Sequence, residues 1–160
     1  MIHSSFNPID VVIDAMHAQE MPVQQLSSHE VMTELQGHWG FYKMQFFWQD
    51  DIQVLHLNVI FELPINTTDK LKIYHLMALL NERLIIGHFE IFPEENLPAF
   101  RYSLMTPTSN ALSIELLEEI IDITLDECES CFPAFKSLIE DQQDPEQAAL
   151  IAVMDTVGEA

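Results

Sequence analysis

Between Val54 and Leu63 the chain alternates. Leu55, Leu57, Val59, Phe61 and Leu63 fall on one side, while His56, Asn58 and Glu62 fall mostly on the other. Period two with one apolar side is the pattern of a strand half buried against a core. It restricts the fold sharply, because a sheet with one apolar face needs a second layer to cover it. Pro64 has no N–H to give a ladder, so the strand is expected to stop there. Thr67, Thr68 or Asp69 can then cap a helix over 69–83, in which Ile73, Leu76, Met77 and Leu80 recur at three- and four-residue steps.

A second alternation follows. Ile85, Phe89 and Ile91 share a face, with Gly87 as a gap and His88 and Glu90 opposite. Pro93-Glu94-Glu95-Asn96 is turn chemistry, and the chain returns as Phe100, Tyr102 and Leu104 with Arg101 and Ser103 opposite. Two alternating runs about a polar turn predict an antiparallel hairpin. The 69–83 helix is the nearest cover for the apolar face of the resulting sheet.

Upstream, residues 1–6 are expected to be disordered, and Asn7-Pro8 supplies a cap with proline at the first helical position. Ile9, Val12, Ile13 and Met16 form the stripe of a short helix ending before Pro22. Val31, Thr33 and Leu35 alternate over 29–36, although that segment also tolerates a helix. Gly37-His38-Trp39-Gly40 turns the chain into an aromatic strand, Tyr42, Met44, Phe46 and Trp48. Downstream, Ser113 caps a helix carrying Ile114, Leu117, Ile121, Leu125 and Cys128, which Pro133 should break or kink. Asp144-Pro145-Glu146-Gln147 starts a C-terminal helix over 145–158. The whole reads as one α+β domain over 1–160, an antiparallel sheet packed against helices.

Twenty-six acidic residues face six basic ones, a formal charge of −20. That field repels phosphate backbones and anionic bilayers, so neither nucleic acid nor membrane is an expected partner. The start of the chain lacks a basic region followed by an apolar one, and the two cysteines, Cys128 and Cys131, read as buried thiols at helical spacing rather than a redox pair. Both point to the cytoplasm. With four glycines there is no phosphate-cradling loop, no G-x-S-x-G elbow occurs, and no catalytic residue, metal ligand or cofactor is assigned. His88 with Glu90, and His56 with Glu62, share strand faces and could form a histidine–carboxylate cluster, but polar decoration of an outer sheet face explains them more simply. Arg101 is expected to pair with Glu90 across the hairpin. Among the aromatics, Trp39 lies in a turn, Phe47 falls on the polar side of its strand and Trp48 is its neighbour, so these three are the candidate contacts for a partner.

Several pieces together resemble the YbjN family of bacterial proteins: Tyr74-His75-Leu76-Met77-Ala78-Leu79-Leu80-Asn81-Glu82, Gly87-His88-Phe89, Phe100-Arg101-Tyr102, Cys128-Glu129, and Phe132-Pro133-Ala134-Phe135. Asn7-Pro8 and the ending Asp155-Thr156-Val157-Gly158-Glu159-Ala160 extend the likeness to nearly the whole chain. It departs at Ser130 and Cys131, where a basic residue and an aromatic usually follow Cys-Glu. The resemblance implies a twisted antiparallel sheet against helices like that of type III secretion chaperones, often dimeric. It implies a role in sensory-transduction regulation and carries over no catalytic residue. The expected function is a non-enzymatic module that holds another protein or peptide along a sheet edge or apolar groove. A metal-dependent enzyme using the histidine–carboxylate residues and a structural homodimer are the alternatives.

Overall fold

The computed structural model describes residues 6–157. Its elements run α1 (Ile9–Ala18), β1 (Gln24–Ser27), β2 (Glu30–Gln36), β3 (Phe41–Gln49), β4 (Val54–Phe61), α2 (Lys70–Asn81), β5 (His88–Phe92), β6 (Leu97–Met105), α3 (Ile114–Asp141) and α4 (Pro145–Val157). The six strands form one sheet in the order β1-β2-β3-β4-β6-β5, every neighbouring pair antiparallel. The fold is α+β, as the alternating runs and helical stripes require.

The apolar side of the 54–63 alternation is the core side. Leu55, Leu57, Val59 and Phe61 join Val31, Tyr42, Met44, Phe46 and Trp48 from the neighbouring strands in one buried cluster. The helices seal it. Phe132 and Phe135 of α3 pack on Phe61 at ring-centroid distances of 5.3 and 5.5 Å, and Tyr42 meets Phe61 edge-on at 5.2 Å. Rings of this size each contribute about 1.5–3 kcal/mol through the area they remove from water. The sequence named the 69–83 helix as the cover. It does cover the β5 end, packing against β5, α3 and α4, and α3 shares the task by laying Phe132 and Phe135 against Tyr42, Phe61 and Phe89.

The helix ends follow local chemistry. Asn7 Oδ1 accepts the N–H of Ile9 at 2.9 Å, and its Nδ2 donates to the Ser28 carbonyl at 2.7 Å, tying the start of α1 to the β1–β2 turn. Ser113 Oγ accepts the N–H of Leu116 at 3.1 Å, the expected cap of α3. For α2 the expected cap bond is not made. A 3-10 turn over Thr67–Asp69 leads in, and buried Asp69 instead accepts Gln142 Nε2 from the end of α3 at 3.5 Å.

Two further expectations are corrected. Pro133 does not break α3, which runs through it for 28 residues. Buried Phe132, Ala134 and Phe135 hold the helix on both sides, and only one i→i−4 bond is forgone, at the Glu129 carbonyl. Ile85 is not a strand residue: it is 95 % exposed, and β5 begins three residues later. An apolar residue in register with an alternation need not be buried when the backbone has not yet entered the sheet. The structure also adds β1, a strand whose four residues are all exposed and which has no apolar period to announce it. The expected disorder of residues 1–5 and the last residue of the 145–158 helix lie outside the described residues, whereas Phe6 is half-buried.

Candidate protein-interaction surface

All four helices lie on one side of the sheet, so the alternate residues of the same strands form a second face that no described element covers. Across it β3 presents Phe41, Lys43, Gln45 and Phe47, β4 presents His56, Asn58 and Ile60, and β6 presents Ala99, Arg101 and Ser103, in register. Ile60 and Ala99 pair here and are buried, although they stand outside the main core cluster. Lys43, opposite Ile60, reaches Glu62 at 3.9 Å. Glu90, opposite Ala99, meets Arg101 Nη1 at 3.7 Å and His88 Nε2 at 3.3 Å. Gln45 bonds Glu30 across β2 and β3. A polar mesh thus covers the middle of the open face and leaves rings free toward its ends.

One such ring is Phe47, 39 % exposed. It stacks on the His56 imidazole with centroids 6.1 Å apart and planes at 21°. His56 Nε2 lies 3.1 Å from Gln49 Oε1, and Nδ1 lies 2.8 Å from Ser103 Oγ. An amide oxygen only accepts, so Nε2 carries the proton and Nδ1 accepts the serine hydroxyl. Burial, and then the charge of Arg101, lower the pKa of His56 and favour this neutral form. Phe47 therefore rests on a fixed, uncharged platform.

Trp39 stands elsewhere, in the β2–β3 turn, 40 % exposed and edge-on to His38 at 4.8 Å. The turn is clasped: Gly37 N–H donates to the Gly40 carbonyl at 2.7 Å, and His38 N–H donates to Glu129 Oε2 of α3 at 3.0 Å. Gly40 is required by packing, since a Cβ there would collide with the Phe132 ring. Beneath the turn the buried Tyr42 phenol lies against Glu129. Burial first, and that carboxylate second, push its pKa far above the ordinary phenol value.

The three sequence-named contacts are not brought together. Trp39 and Phe47 are separated by most of β3, roughly 20 Å of extended chain. Trp48 points to the other face and is 2 % exposed, with Nε1 donating to Asp50 at 3.3 Å. It belongs to the core beneath, because it shares the parity of Phe46 and Met44. The exposed set gains Phe41 and Met105, 55 % and 71 % exposed. Phe41 shares the parity of Phe47 on β3, a signal the sequence did carry.

Arg101 pairs with Glu90 as expected, while His56 and Glu62 do not meet, since each is taken by other partners. Among the described residues no group of three or more His, Cys, Asp or Glu side chains converges as a metal site. Cys128 and Cys131 are free and buried; burial raises the first thiol strongly and pushes the second up to about 12, so both stay protonated. No helix among the described residues is long and apolar enough to cross a membrane.

Comparison with solved structures places the fold. The chain is similar to YbjN from E. coli, with 9 % identity, TM-score 0.57, 76 % of this chain and 85 % of that one covered. It is also similar to a chain of the HopA1–SchA chaperone–effector complex, with 13 % identity, TM-score 0.52, and 79 % and 93 % covered. These likenesses are of fold. No curated protein matches the sequence. The family YbjN, described as "Putative bacterial sensory transduction regulator", matches residues 8–137. With most of its length matched, the chain belongs to the YbjN family.

Proposed function

We propose that this protein is a non-enzymatic, regulatory or chaperone-like module of the cytoplasm that holds a partner polypeptide against the uncovered side of its sheet. One observation carries the reading: helices seal one face, while the other leaves Phe47 on a neutral His56 platform and Phe41 and Met105 exposed at its ends. Isolated, rigidly supported rings within a polar mesh suit a protein contact, because little side-chain entropy is lost when they are covered. A chaperone–effector complex among the similar folds supports the same class of role. Trp39, on its clasped turn, is a second contact at the far end of β3.

Self-association through this face is the competing use of it. Two copies at −20 each would bring like charges together, so a basic or neutral partner is favoured. The test is affinity capture on immobilised full-length protein beside its Phe47→Ala and Trp39→Ala variants. A specific polypeptide retained by the native chain and released by Phe47→Ala supports the reading. Background recovery from folded native protein contradicts it, and a concentration-dependent dimer broken by Phe47→Ala would give the face to self-association.

A further inference from the structure

Among the described residues, four stretches of sheet backbone lack a strand partner, and they differ. At the β5 edge the Asn81 side chain closes the middle of the strand: its Oδ1 accepts the N–H of Phe89 at 2.7 Å, and its Nδ2 donates to the Phe89 carbonyl at 3.2 Å. At the β1 edge the strand is four residues long and bulged between Gln25 and Ser27, and β2 runs on past it from Thr33 to Gln36, a stretch beside no apolar dimple. The fourth stretch, on β6, lies inside the sheet order. β5 pairs with β6 only from Leu97 to Arg101, yet β6 runs on to Met105.

Backbone direction in that gap follows from the Asn81 clamp. Phe89 turns its N–H and C=O away from β6, so His88, Glu90 and Phe92 turn theirs toward it, opposite Arg101, Ala99 and Leu97. By the same alternation Ser103 and Met105 direct their backbone groups to that side, past the start of β5. There no described strand pairs with them. β5 cannot simply be longer: Gly87, at φ 66°, takes the chain out of line, and a Cβ on it would lie 2.8 Å from the Arg101 carbonyl oxygen.

Both faces of the gap are furnished. On the helix side a shallow apolar dimple of about 10 Å³ lies between Tyr102 and Leu104 of β6, Leu55 and Leu57 of β4, and Leu117 and Ile120 of α3. On the open side Ser103 continues the line of His56 and Phe47. The charge of the flanking helix is one-signed: from Ile114 to Glu127, α3 carries Glu115, Glu118, Glu119, Asp122, Asp126 and Glu127, with no Lys or Arg. A second copy of this chain would bring the same sign, so the complementary occupant is basic.

We propose that the free edge of β6 at Ser103–Met105 receives an extended segment of a partner polypeptide as an added strand. Alternate apolar residues of that segment lie over the Tyr102–Leu104–Leu117 dimple, and Lys or Arg flanks them. The intervening side chains stand beside Ser103, in line with Phe47. The inference rests on the protein-holding reading above and gives that reading an address, since main-chain bonds supply affinity while the exposed apolar strip and the acidic helix supply selectivity.

A displayed random-heptapeptide library, selected on the immobilised full chain and followed by fluorescence anisotropy of the recovered peptides, tests it. Recovered peptides should alternate apolar residues between Lys or Arg and should weaken as salt rises. Ser103→Pro removes the outward N–H and leaves the β4 ladder intact; it should weaken binding about tenfold or more relative to Ser103→Ala, which loses the same bond to His56 but keeps the N–H. N-methylation of alternate peptide amides should weaken binding equally, a readout that leaves the protein unchanged. Peptides that bind native and Ser103→Pro protein alike, or that carry acidic flanks, overturn the proposal. Dependence on Phe47 and Trp39 alone overturns the edge but leaves the protein-holding reading standing. Recovery of no peptide by a folded chain that also captures no polypeptide removes both.

Discussion

The two faces of this sheet are made by the same strands and differ in almost everything else. On the helix side, alternate residues of β3 and β4 are buried in one cluster in which Phe61, Phe89, Phe132 and Phe135 meet at 5.3–6.0 Å. On the other side the residues between them form cross-strand polar pairs, with Phe41 and Phe47 left exposed. Stability is thus concentrated on one face, and the other is free to change at little cost to folding. That division is what a polypeptide-holding module needs.

The contrast can be broken most severely from the covered side. Phe135→Ala removes a fully buried ring that touches Phe61 and Phe89. It should cost about 3–5 kcal/mol in urea unfolding, and a loss below ~1 kcal/mol would show the core is not where it is drawn. Alkali attacks the same face. The unfolded chain releases thiol and phenol protons near ~8.5 and ~10, whereas folded Cys128, Cys131 and Tyr42 retain theirs. The unfolded state then binds fewer protons, so stability falls as pH rises. Each group adds about 1.4 kcal/mol of loss per pH unit above its unfolded value. Urea midpoints measured from pH 7 to pH 10.5 should decline from about pH 8.5, and a flat profile would contradict the burial of these groups.

Smaller effects sharpen the comparison at the margins. Asn81→Leu leaves the backbone groups of buried Phe89 without their partner and should cost about 1–3 kcal/mol, read with increased exchange of the Phe89 amide. His56 works at the acid end: its pKa is lowered in the fold, so stability present above about pH 6.5 should decline as pH falls and the unfolded chain takes up the proton first. His56→Gln should flatten that decline. Phe47→Ala, on the open face, should change stability by no more than about 0.5 kcal/mol. A large loss there would mean the open face is structural after all.

The fold was legible where a period was long enough to fix a face. Leu55, Leu57, Val59 and Phe61 announced both a strand and its buried side, and Ser113 announced a cap. It was illegible where contacts span the chain without a pattern. Glu129 reaches His38 across 91 positions, and the Asn81 clamp on Phe89 crosses from the last residue of a helix to a strand edge. The gap beside Ser103 was hidden for a related reason. Ile85 extends the apolar alternation of β5 on paper, whereas Gly87 takes the backbone out of the sheet before Ile85 can pair. Of the candidate contacts, Phe47 was found because its parity is opposite to the core. Trp48 had core parity and was named for its chemistry alone.

Photo-crosslinking inside the source cells puts the central claim to its most direct test. Benzoylphenylalanine is placed at Phe47 on the open face or, as a control, at Leu71, which is 82 % exposed on α2. The account predicts a discrete adduct with one polypeptide from position 47 and none from position 71. Equal, diffuse labelling from both positions, or no adduct from position 47 in a folded chain, would contradict it.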